Sequence, residues 1–217
     1  MIAAENLIER VKPYTMTDAE RIAGLVGEVE RVVREGIPGD MVECGVWRGG
    51  SMMAVALTLL QMGISDRDLY LFDTYQGMPP PEDVDVDLYG HAASDPASGS
   101  YDAAGCTVGL AAVQNAMRST GYPPERIHYV VGMVEDTLPA KAPERIAFLH
   151  LDTDWYRSTR HELEQLFPRV SPGGSVMLDD YGHWKGARKA TDEYLAQYAP
   201  GLAIIPCGYS AVILGKR

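Results

Sequence analysis

Residues 42–51 read VECGVWRGGS, an apolar strand that runs into a glycine-rich turn and then into an apolar helix. Further along the chain, two hydrophobic strands each end in a pair of acids, in LDTD at 151–154 and in LDD at 178–180. In an open parallel α/β sheet the carboxyl ends of the strands lie along one edge, and ligands bind in the crevice there. The three segments therefore predict a nucleotide-sized pocket beside a cluster of four carboxylates.

Apolar strands and amphipathic helices alternate along the chain. The segment before residue 38 is predicted to be helical, with a helix over 17–36 that begins at a capping box of Thr17 and Glu20. Predicted strands follow at 41–44, 69–72, 127–131, 146–151 and 175–178, with helices at 51–61, 108–120, 161–167 and 187–199. The chain closes with a predicted hairpin of strands 202–205 and 211–214. This order predicts one α/β domain over residues 1–217, a doubly wound, mostly parallel sheet with helices on both faces and a C-terminal antiparallel hairpin.

A long loop from about residue 74 to residue 104 interrupts this alternation. It contains five acids between Glu82 and Asp95, together with several prolines and glycines. A loop of this length is usually either a functional lid or a disordered excursion. Both interpretations of the loop stay open at this point.

Composition and charge restrict the class of protein. The chain has 217 residues, of which 46% are hydrophobic, and a formal net charge of -11. An acidic surface repels phosphate backbones, so a nucleic acid is not an expected partner. Cys44, Cys106 and Cys207 are too widely spaced for a disulfide framework or a zinc site, which indicates a reducing compartment. The N-terminus lacks the features of a signal peptide, and no apolar run is long enough to span a membrane, so a cytoplasmic protein is expected.

The glycine-rich turn predicts a nucleoside pocket. Its spacing matches neither the dinucleotide fingerprint nor the P-loop, so pyrophosphate is disfavoured, and Glu43 suits a cationic ligand group. Asp73 closes the next strand, where an acid commonly accepts hydrogen bonds from ribose hydroxyls. Together with an apolar slot for a base, these features describe S-adenosylmethionine (SAM), although the glycines alone would also serve ordinary strand-to-helix turns. The residues predicted to contact the cofactor are Glu43, Gly45, Val46, Trp47, Ser51, Asp73, Thr74, Gly132, Met133, Val134 and Asp152.

The acids at 152, 154, 179 and 180 predict a metal site. Carboxylates on adjacent strand ends repel one another, and burial increases the repulsion. A hard divalent cation such as Mg²⁺ or Ca²⁺ removes the conflict because it prefers oxygen ligands. The alternative for each single aspartate is helix capping. Asp154, Tyr181 and His183 are the residues predicted to contact the substrate.

Four segments of the chain closely resemble the macrocin O-methyltransferase family. They are residues 42–51 (VECGVWRGGS), 72–78 (FDTYQGM), 151–159 (LDTDWYRST) and 172–182 (PGGSVMLDDYG), within a resemblance that covers roughly residues 17–195. Members of this family methylate hydroxyls on the deoxysugars of macrolide and aminocoumarin antibiotics. The resemblance implies a class I methyltransferase fold with bound SAM and Mg²⁺, a glycosylated small-molecule acceptor and a homodimer.

Carried over position by position, the resemblance also implies individual roles. Asp152, Asp179 and Asp180 resemble the metal-binding acids of the family, and Asp152 also resembles its general base. Glu43, Gly45 and Asp73 match its cofactor-binding strand ends.

The predicted function is therefore methyl transfer from SAM to an alcohol oxygen, with antibiotic biosynthesis as its setting. A metal-dependent catechol-type O-methyltransferase and a non-catalytic ligand-binding module of the same fold stay open as alternatives. A dehydrogenase is disfavoured because the dinucleotide turn is missing.

Overall fold

The sheet of this molecule is the element that brings the acid-bearing strands together. The computed structural model describes residues 4–95 and 106–216. Its strands are β1 Asp40–Cys44, β2 Leu69–Asp73, β3 Ile127–Val131, β4 Ile146–Leu151, β5 Val170–Leu178, β6 Ile205–Cys207 and β7 Ala211–Gly215. They form one sheet in the order β3-β2-β1-β4-β5-β7-β6. β1 to β5 pair in parallel, and β7 runs antiparallel to β5 and β6, so the predicted parallel sheet with a C-terminal antiparallel hairpin is confirmed.

Helices cover both faces of this sheet. They are α1 Ala4–Val11, α2 Ala19–Arg34, α3 Gly50–Gln61, α4 Leu110–Arg118, α5 Val134–Thr137, α6 Tyr156–Leu166 and α7 Lys185–Tyr198. Helices α1 to α4 share one apolar core with Met41 and Phe148, and α5 to α7 share a second core with Val42 and Leu149. Consecutive residues of β1 and of β4 thus face opposite cores. Both faces are buried, as in parallel sheets generally.

The apolar helix that follows the glycine turn lies inside the first core. Residues 50–59 of α3 are all buried. A helix that is hydrophobic on every side needs neighbours all round, and α3 contacts α1, α2, α4 and β2. In the described part of the chain, no helix is both long and apolar enough to cross a membrane.

Two helices begin at caps that the sequence did not predict. The capping box of Thr17 and Glu20 is wrong, because α2 begins after Asp18, whose carboxylate accepts a hydrogen bond of 2.9 Å from the backbone N–H of Arg21. Helix α6 begins at Tyr156, earlier than expected, because Asp85 of the long loop accepts its backbone N–H at 2.8 Å. In both cases a short acidic side chain satisfies a free N–H of the first turn.

Part of the long loop is packed against the site-bearing segments. Residues Val86 and Ala92 form an antiparallel bridge, and the backbone N–H of Lys185 donates to the carbonyl of Val86 at 2.9 Å. The indole of Trp155 donates to the carbonyl of Pro79 at 2.9 Å. The loop is thus anchored to the starts of α6 and α7. The predicted lid also included residues 96–104, which lie outside the described residues.

The carboxyl ends of β1, β4 and β5 lie at one level. Cys44 pairs with Leu151, and Leu151 pairs with Leu178. The ladder continues one step further, since the backbone N–H of Asp152 donates to Cys44 and that of Asp179 to Leu151, each at 2.9 Å. The strand order reverses between β1 and β4, and this switch point is where open α/β sheets bind ligands.

Candidate active site

A cavity of about 310 Å³ opens at this switch point. Its walls come from the ends of β1 to β5, from residues 14–17 ahead of α2, and from the turn of the C-terminal hairpin. Most of the predicted site residues line it, and they are Gly45, Val46, Trp47, Ser51, Asp73, Thr74, Gly132, Met133, Val134, Asp152, Asp154, Asp179, Asp180 and His183. The structure therefore gathers both predicted halves of the site, the glycine turn and the acids, around one space.

The glycine turn is fixed by close approach and by Asp73. Gly45 has φ +83°, and a Cβ at this position would lie 1.9 Å from the carbonyl oxygen of Asp152, so a side chain is excluded. One oxygen of Asp73 accepts the backbone N–H groups of Val46 at 2.7 Å and Trp47 at 3.2 Å. The other accepts the N–H of Tyr75 at 2.6 Å. Asp73 thus connects the turn after β1 to the end of β2 through hydrogen bonds.

Three of the four predicted acids converge. Asp152, Asp179 and Asp180 each offer one carboxylate oxygen, and these oxygens lie within 4.8 Å of one another. Burial, and after it the charge of Asp179, raises the pKa of Asp152 well above its usual range. Burial and the charge of Asp154 do the same to the pKa of Asp180. The ionised form of these acids is therefore disfavoured unless a cation joins them.

Asp154 completes the acid cluster, the name used below for Asp152, Asp154, Asp179 and Asp180. Its backbone N–H donates to Asp180 at 3.1 Å, and its carboxylate accepts the indole N–H of Trp184 at 2.8 Å. Burial, and after it the charge of Asp152, raises the pKa of Asp154 to about 8. Its φ is +66°, a conformation that costs free energy for residues other than glycine and that is concentrated at functional sites.

Arg21 is a cation that contacts the acid cluster and that the sequence pattern did not predict. Its Nη1 donates to Asp179 and, at 3.0 Å, to the hydroxyl of Ser210, while its Nε donates to Asp18 at 2.8 Å. The side chain is 12% exposed. Nothing in the helical pattern of residues 17–36 distinguishes Arg21 from the other charged residues of α2. The predicted acid cluster gave only an indirect signal, because four neighbouring carboxylates require a positive charge but do not indicate which residue supplies it.

The donor set suits a hard divalent cation. A single guanidinium cannot neutralise four carboxylates, and burial, followed by the charges of the neighbouring acids, raises the pKa values of Asp152, Asp154 and Asp180. In the described part of the chain, Oδ1 of Asp179 is buried and has no hydrogen-bond partner. Three carboxylates whose oxygens converge, one of which also has an unpartnered buried oxygen, match the all-oxygen ligation that Mg²⁺ and Ca²⁺ prefer.

Two predicted residues do not line the cavity. Glu43 is 1% exposed, and its Oε1 lies 3.0 Å from Nδ1 of His150, below the surface of the pocket. The hydroxyl of Tyr181 donates to Asp192 at 2.7 Å, outside the cavity. Neither side chain therefore borders the cavity in this arrangement, and their contact with a ligand stays a prediction. The reason for Glu43 is that its position on β1 directs the side chain into the sheet-helix core, and the strand pattern does not reveal this.

Other cavity residues come from parts of the chain that carry no sequence signal for a site. They are Tyr14, Thr15, Met16 and Thr17 from the segment before α2, Thr153 and Ser158 near the start of α6, and Tyr209 and Ser210 from the hairpin turn. The hydroxyl of Tyr209 lies 3.2 Å from Nδ1 of His183, and this pair forms one rim of the cavity.

A family model described as macrocin O-methyltransferase (TylF) matches residues 10–202 of the chain. An 8-demethyl-8-(2,3-dimethoxy-α-L-rhamnosyl)-tetracenomycin-C 4'-O-methyltransferase of Streptomyces olivaceus is 35% identical over 185 residues, which cover 85% of this chain and 69% of that protein.

Solved structures show the same fold. The O-methyltransferase NovP superposes with a TM-score of 0.82 at 30% identity, covering 94% of this chain and 82% of its own. A methyltransferase of Podospora anserina, PaMTH1, solved with S-adenosylhomocysteine (SAH), shares the fold at 14% identity and a TM-score of 0.59, covering 100% of this chain and 89% of its own. The match over most of the chain, in sequence and in fold, shows that this protein is a methyltransferase and belongs to the macrocin O-methyltransferase family.

Proposed function

We propose that the protein is a SAM- and Mg²⁺-dependent O-methyltransferase that acts on a hydroxyl of a sugar or of a glycosylated natural product. One observation carries the proposal. The glycine turn with Asp73 and three carboxylates whose oxygens lie within 4.8 Å of one another border the same cavity. Such a cavity can hold a methyl donor and an acceptor hydroxyl at contact distance, which is the main requirement for a transfer between two bound molecules.

The cofactor half of the cavity fits SAM. The turn at Gly45 and Val46 admits close approach of a ligand, Asp73 can accept ribose hydroxyls with lone pairs that its backbone bonds leave free, and residues 132–134 form an apolar slot. The SAH-bound structure of PaMTH1 shows that this fold accommodates the cofactor product in that protein. When bound, SAM supplies a methyl group on a sulfonium, which is electrophilic.

The acid half of the cavity fits Mg²⁺. Asp152, Asp179 and Asp180 would hold the ion through one oxygen each. When bound, the ion lowers the pKa of an acceptor hydroxyl and orients it, a role that metal ions have in many enzymes. The unpartnered Oδ1 of Asp179 and the raised pKa values of Asp152 and Asp180 support this assignment.

The protein's own groups supply proton transfer and orientation. Asp152 accepts the hydroxyl proton on a carboxylate oxygen, because it follows the central strand β4 directly and faces the cavity. Asp154 and His183 border the same cavity and would contact the acceptor there. The indole of Trp184 fixes Asp154 through its hydrogen bond of 2.8 Å, so this carboxylate has a defined orientation before a ligand arrives.

The acceptor class follows from the relatives. The Streptomyces olivaceus protein methylates a rhamnosyl group of a tetracenomycin derivative, as its name states. A deoxysugar attached to a polycyclic natural product is therefore the acceptor that we propose for this protein. A sugar hydroxyl is a weak nucleophile at neutral pH. An ion held by the acid cluster would lower the pKa of that hydroxyl and so make it more nucleophilic.

A panel of acceptors tests the proposal. Purified protein is incubated with labelled SAM and Mg²⁺ together with rhamnosylated polyketides, a nucleotide sugar, a catechol or no acceptor, and products are analysed by mass spectrometry. We expect a gain of one methyl group on the glycosylated polyketides and loss of that product when EDTA is added. Transfer to the catechol alone would contradict the sugar assignment, and transfer that persists in EDTA would contradict the ion.

A further inference from the structure

A row of buried polar residues crosses the sheet beneath the acid cluster. Glu43 on β1 pairs in register with His150 on β4, and His150 pairs with Met177 on β5. Side chains alternate between the two faces of a strand, so Asp179 follows Met177 on the same face. The topology thus places Glu43, His150 and Asp179 side by side, on the face that α2 covers.

The contacts within this row are direct. Nδ1 of His150 lies 3.0 Å from Oε1 of Glu43, and Nε2 lies 3.7 Å from Oδ1 of Asp179. The three side chains are 1%, 1% and 6% exposed. Within the described residues, His150 Nε2 and Asp179 Oδ1 are buried without a hydrogen-bond partner, and they face each other just outside hydrogen-bonding distance.

Such a row is not explained by packing. Burying polar and charged groups costs free energy, and well-packed apolar residues of similar volume stabilise a core at least as well. The imidazole of His150 therefore indicates a role other than packing, because the neighbouring strands on both sides direct carboxylates toward it.

Asp179 is held from its other side by α2. Arg21 donates through Nη1 to Oδ2 of Asp179, the oxygen that does not face His150. The same Nη1 donates to the hydroxyl of Ser210 at 3.0 Å. The carboxylate of Asp179 is thus held between the sheet and α2, with Oδ1 toward His150 and Oδ2 toward Arg21, and each oxygen keeps a further lone pair that an ion can use.

We infer that His150 is a positioning residue for the cation site, held in place by Glu43 so that its Nε2 fixes the carboxylate of Asp179 toward the ion. The inference rests on the proposed function, since it takes Asp179 as a ligand of the ion. Groups that orient a ligand side chain commonly change metal affinity by about ten- to a hundredfold when they are removed. Glu43 then has a role beneath the pocket rather than in contact with the cofactor.

The test measures ion binding rather than turnover. Mg²⁺ is titrated into the full-length protein by calorimetry, and SAH is titrated separately without the ion. His150→Asn retains an amide near Glu43 but loses the atom that faces Asp179, so we expect its Kd for Mg²⁺ to rise about tenfold or more with the Kd for SAH unchanged. His150→Gln, whose amide reaches further toward Asp179, should recover part of that affinity.

His161→Asn is the matched control. His161 lies on α6, on the opposite face of the sheet, and also has a buried Nε2. The same substitution there should leave the affinity for Mg²⁺ as in the wild type. An equal loss of ion affinity in the two variants would overturn the inference, as would wild-type affinity in His150→Asn.

A second variant keeps the inference testable if His150→Asn does not fold. Glu43→Gln keeps the shape of the side chain but removes the charge that holds the imidazole, so it should weaken Mg²⁺ binding and leave SAH binding unchanged. A loss of SAH affinity instead would mean that Glu43 serves the cofactor and would overturn the inference. Failure of the wild type to bind Mg²⁺ is a separate outcome, which would overturn the ion in the proposed function and this inference with it.

Discussion

Asp73 and the acid cluster are carboxylates at strand ends of the same sheet, but their surroundings are opposite. Asp73 accepts backbone N–H groups from Val46, Trp47 and Tyr75, at 2.6 to 3.2 Å. The carboxylates of the acid cluster face one another, with Arg21 in contact with Asp179. The fold itself satisfies Asp73 and leaves the acid cluster with excess negative charge.

The difference separates two uses of an aspartate at a sheet edge. A carboxylate surrounded by N–H groups shapes the backbone and is stabilised by it. Carboxylates that repel one another are destabilising until a cation binds, so their presence indicates a ligand that is not part of the chain. The same substitution, aspartate to asparagine, should therefore have opposite effects on stability in the two regions.

Asp152→Asn gives the largest expected effect. Loss of the proton acceptor and of one ion ligand should reduce methyl transfer about a thousandfold. Without the ion, the variant should melt at the same temperature as the wild type or higher, because one repelling charge is gone. Transfer assays with labelled SAM and thermal unfolding in EDTA measure the two quantities. Turnover close to that of the wild type would contradict the role of Asp152.

Asp73→Asn should lower the stability of the protein, whereas Asp152→Asn should not. An amide oxygen still accepts, but the charge that strengthens three backbone hydrogen bonds is lost, so we expect the free energy of unfolding to fall by about 2 kcal/mol. SAH affinity should fall as well, since Asp73 borders the nucleoside pocket. Urea unfolding and calorimetry measure both. A variant as stable as the wild type would mean that the contrast between the two regions is wrong.

The dependence of stability on pH sharpens the comparison further. Burial and neighbouring acids raise the folded-state pKa of Asp152, Asp154 and Asp180, that of Asp154 to about 8. A group whose pKa is higher in the folded state contributes stability below its unfolded pKa, near 4, and loses it as pH rises through the folded value. The ion-free protein should therefore lose stability between about pH 4 and pH 8.

Mg²⁺ should reverse this loss, because it binds the ionised carboxylates. The increase in melting temperature on adding Mg²⁺ should grow with pH across the same window, to several degrees near pH 8. Glu162→Gln is the control, since burial also raises the pKa of Glu162 to about 8 at a position on α6 that does not line the cavity. That variant should keep the Mg²⁺ effect. A shift on adding Mg²⁺ that does not change with pH would count against the acid cluster as its site.

Tyr181→Phe should have the smallest effect. The hydroxyl of Tyr181 donates to Asp192 away from the cavity, so its removal should change kcat/KM by less than about twofold. A large loss in the transfer assay would restore Tyr181 to the substrate site that its sequence position, next to Asp180, predicted.

The sequence predicted the parts of the site that lie at strand ends. Gly45, Asp73, Asp152 and Asp179 follow apolar runs directly, and a parallel sheet brings such ends to one edge whatever the details of packing. For this reason the cavity residues at the ends of β1, β2, β4 and β5 could be predicted from the pattern alone, and the order of the elements predicted the sheet with its hairpin.

The remaining residues depend on how helices and loops pack, which pattern does not give. Arg21 reaches Asp179 across 158 positions of sequence. Tyr209 and Ser210 enter the cavity only because β7 pairs antiparallel with β5 and brings the hairpin turn to this edge. The sequence also did not predict which way the Glu43 side chain points. Both faces of β1 are buried, so the hydrophobic pattern does not distinguish them.

Asp85 has a consequence for exchanging loop segments between relatives. Its carboxylate accepts the N–H of Tyr156 at the start of α6, and the same oxygen would lie 2.0 Å from a Cβ at Gly186 in the first turn of α7. The carboxylate of Asp85 thus occupies the space that a side chain at position 186 would need, although the two residues are far apart in sequence. A relative that receives the 79–93 segment of this protein must therefore also have glycine at position 186, because any larger residue there would collide with the Asp85 carboxylate that accepts the N–H of Tyr156.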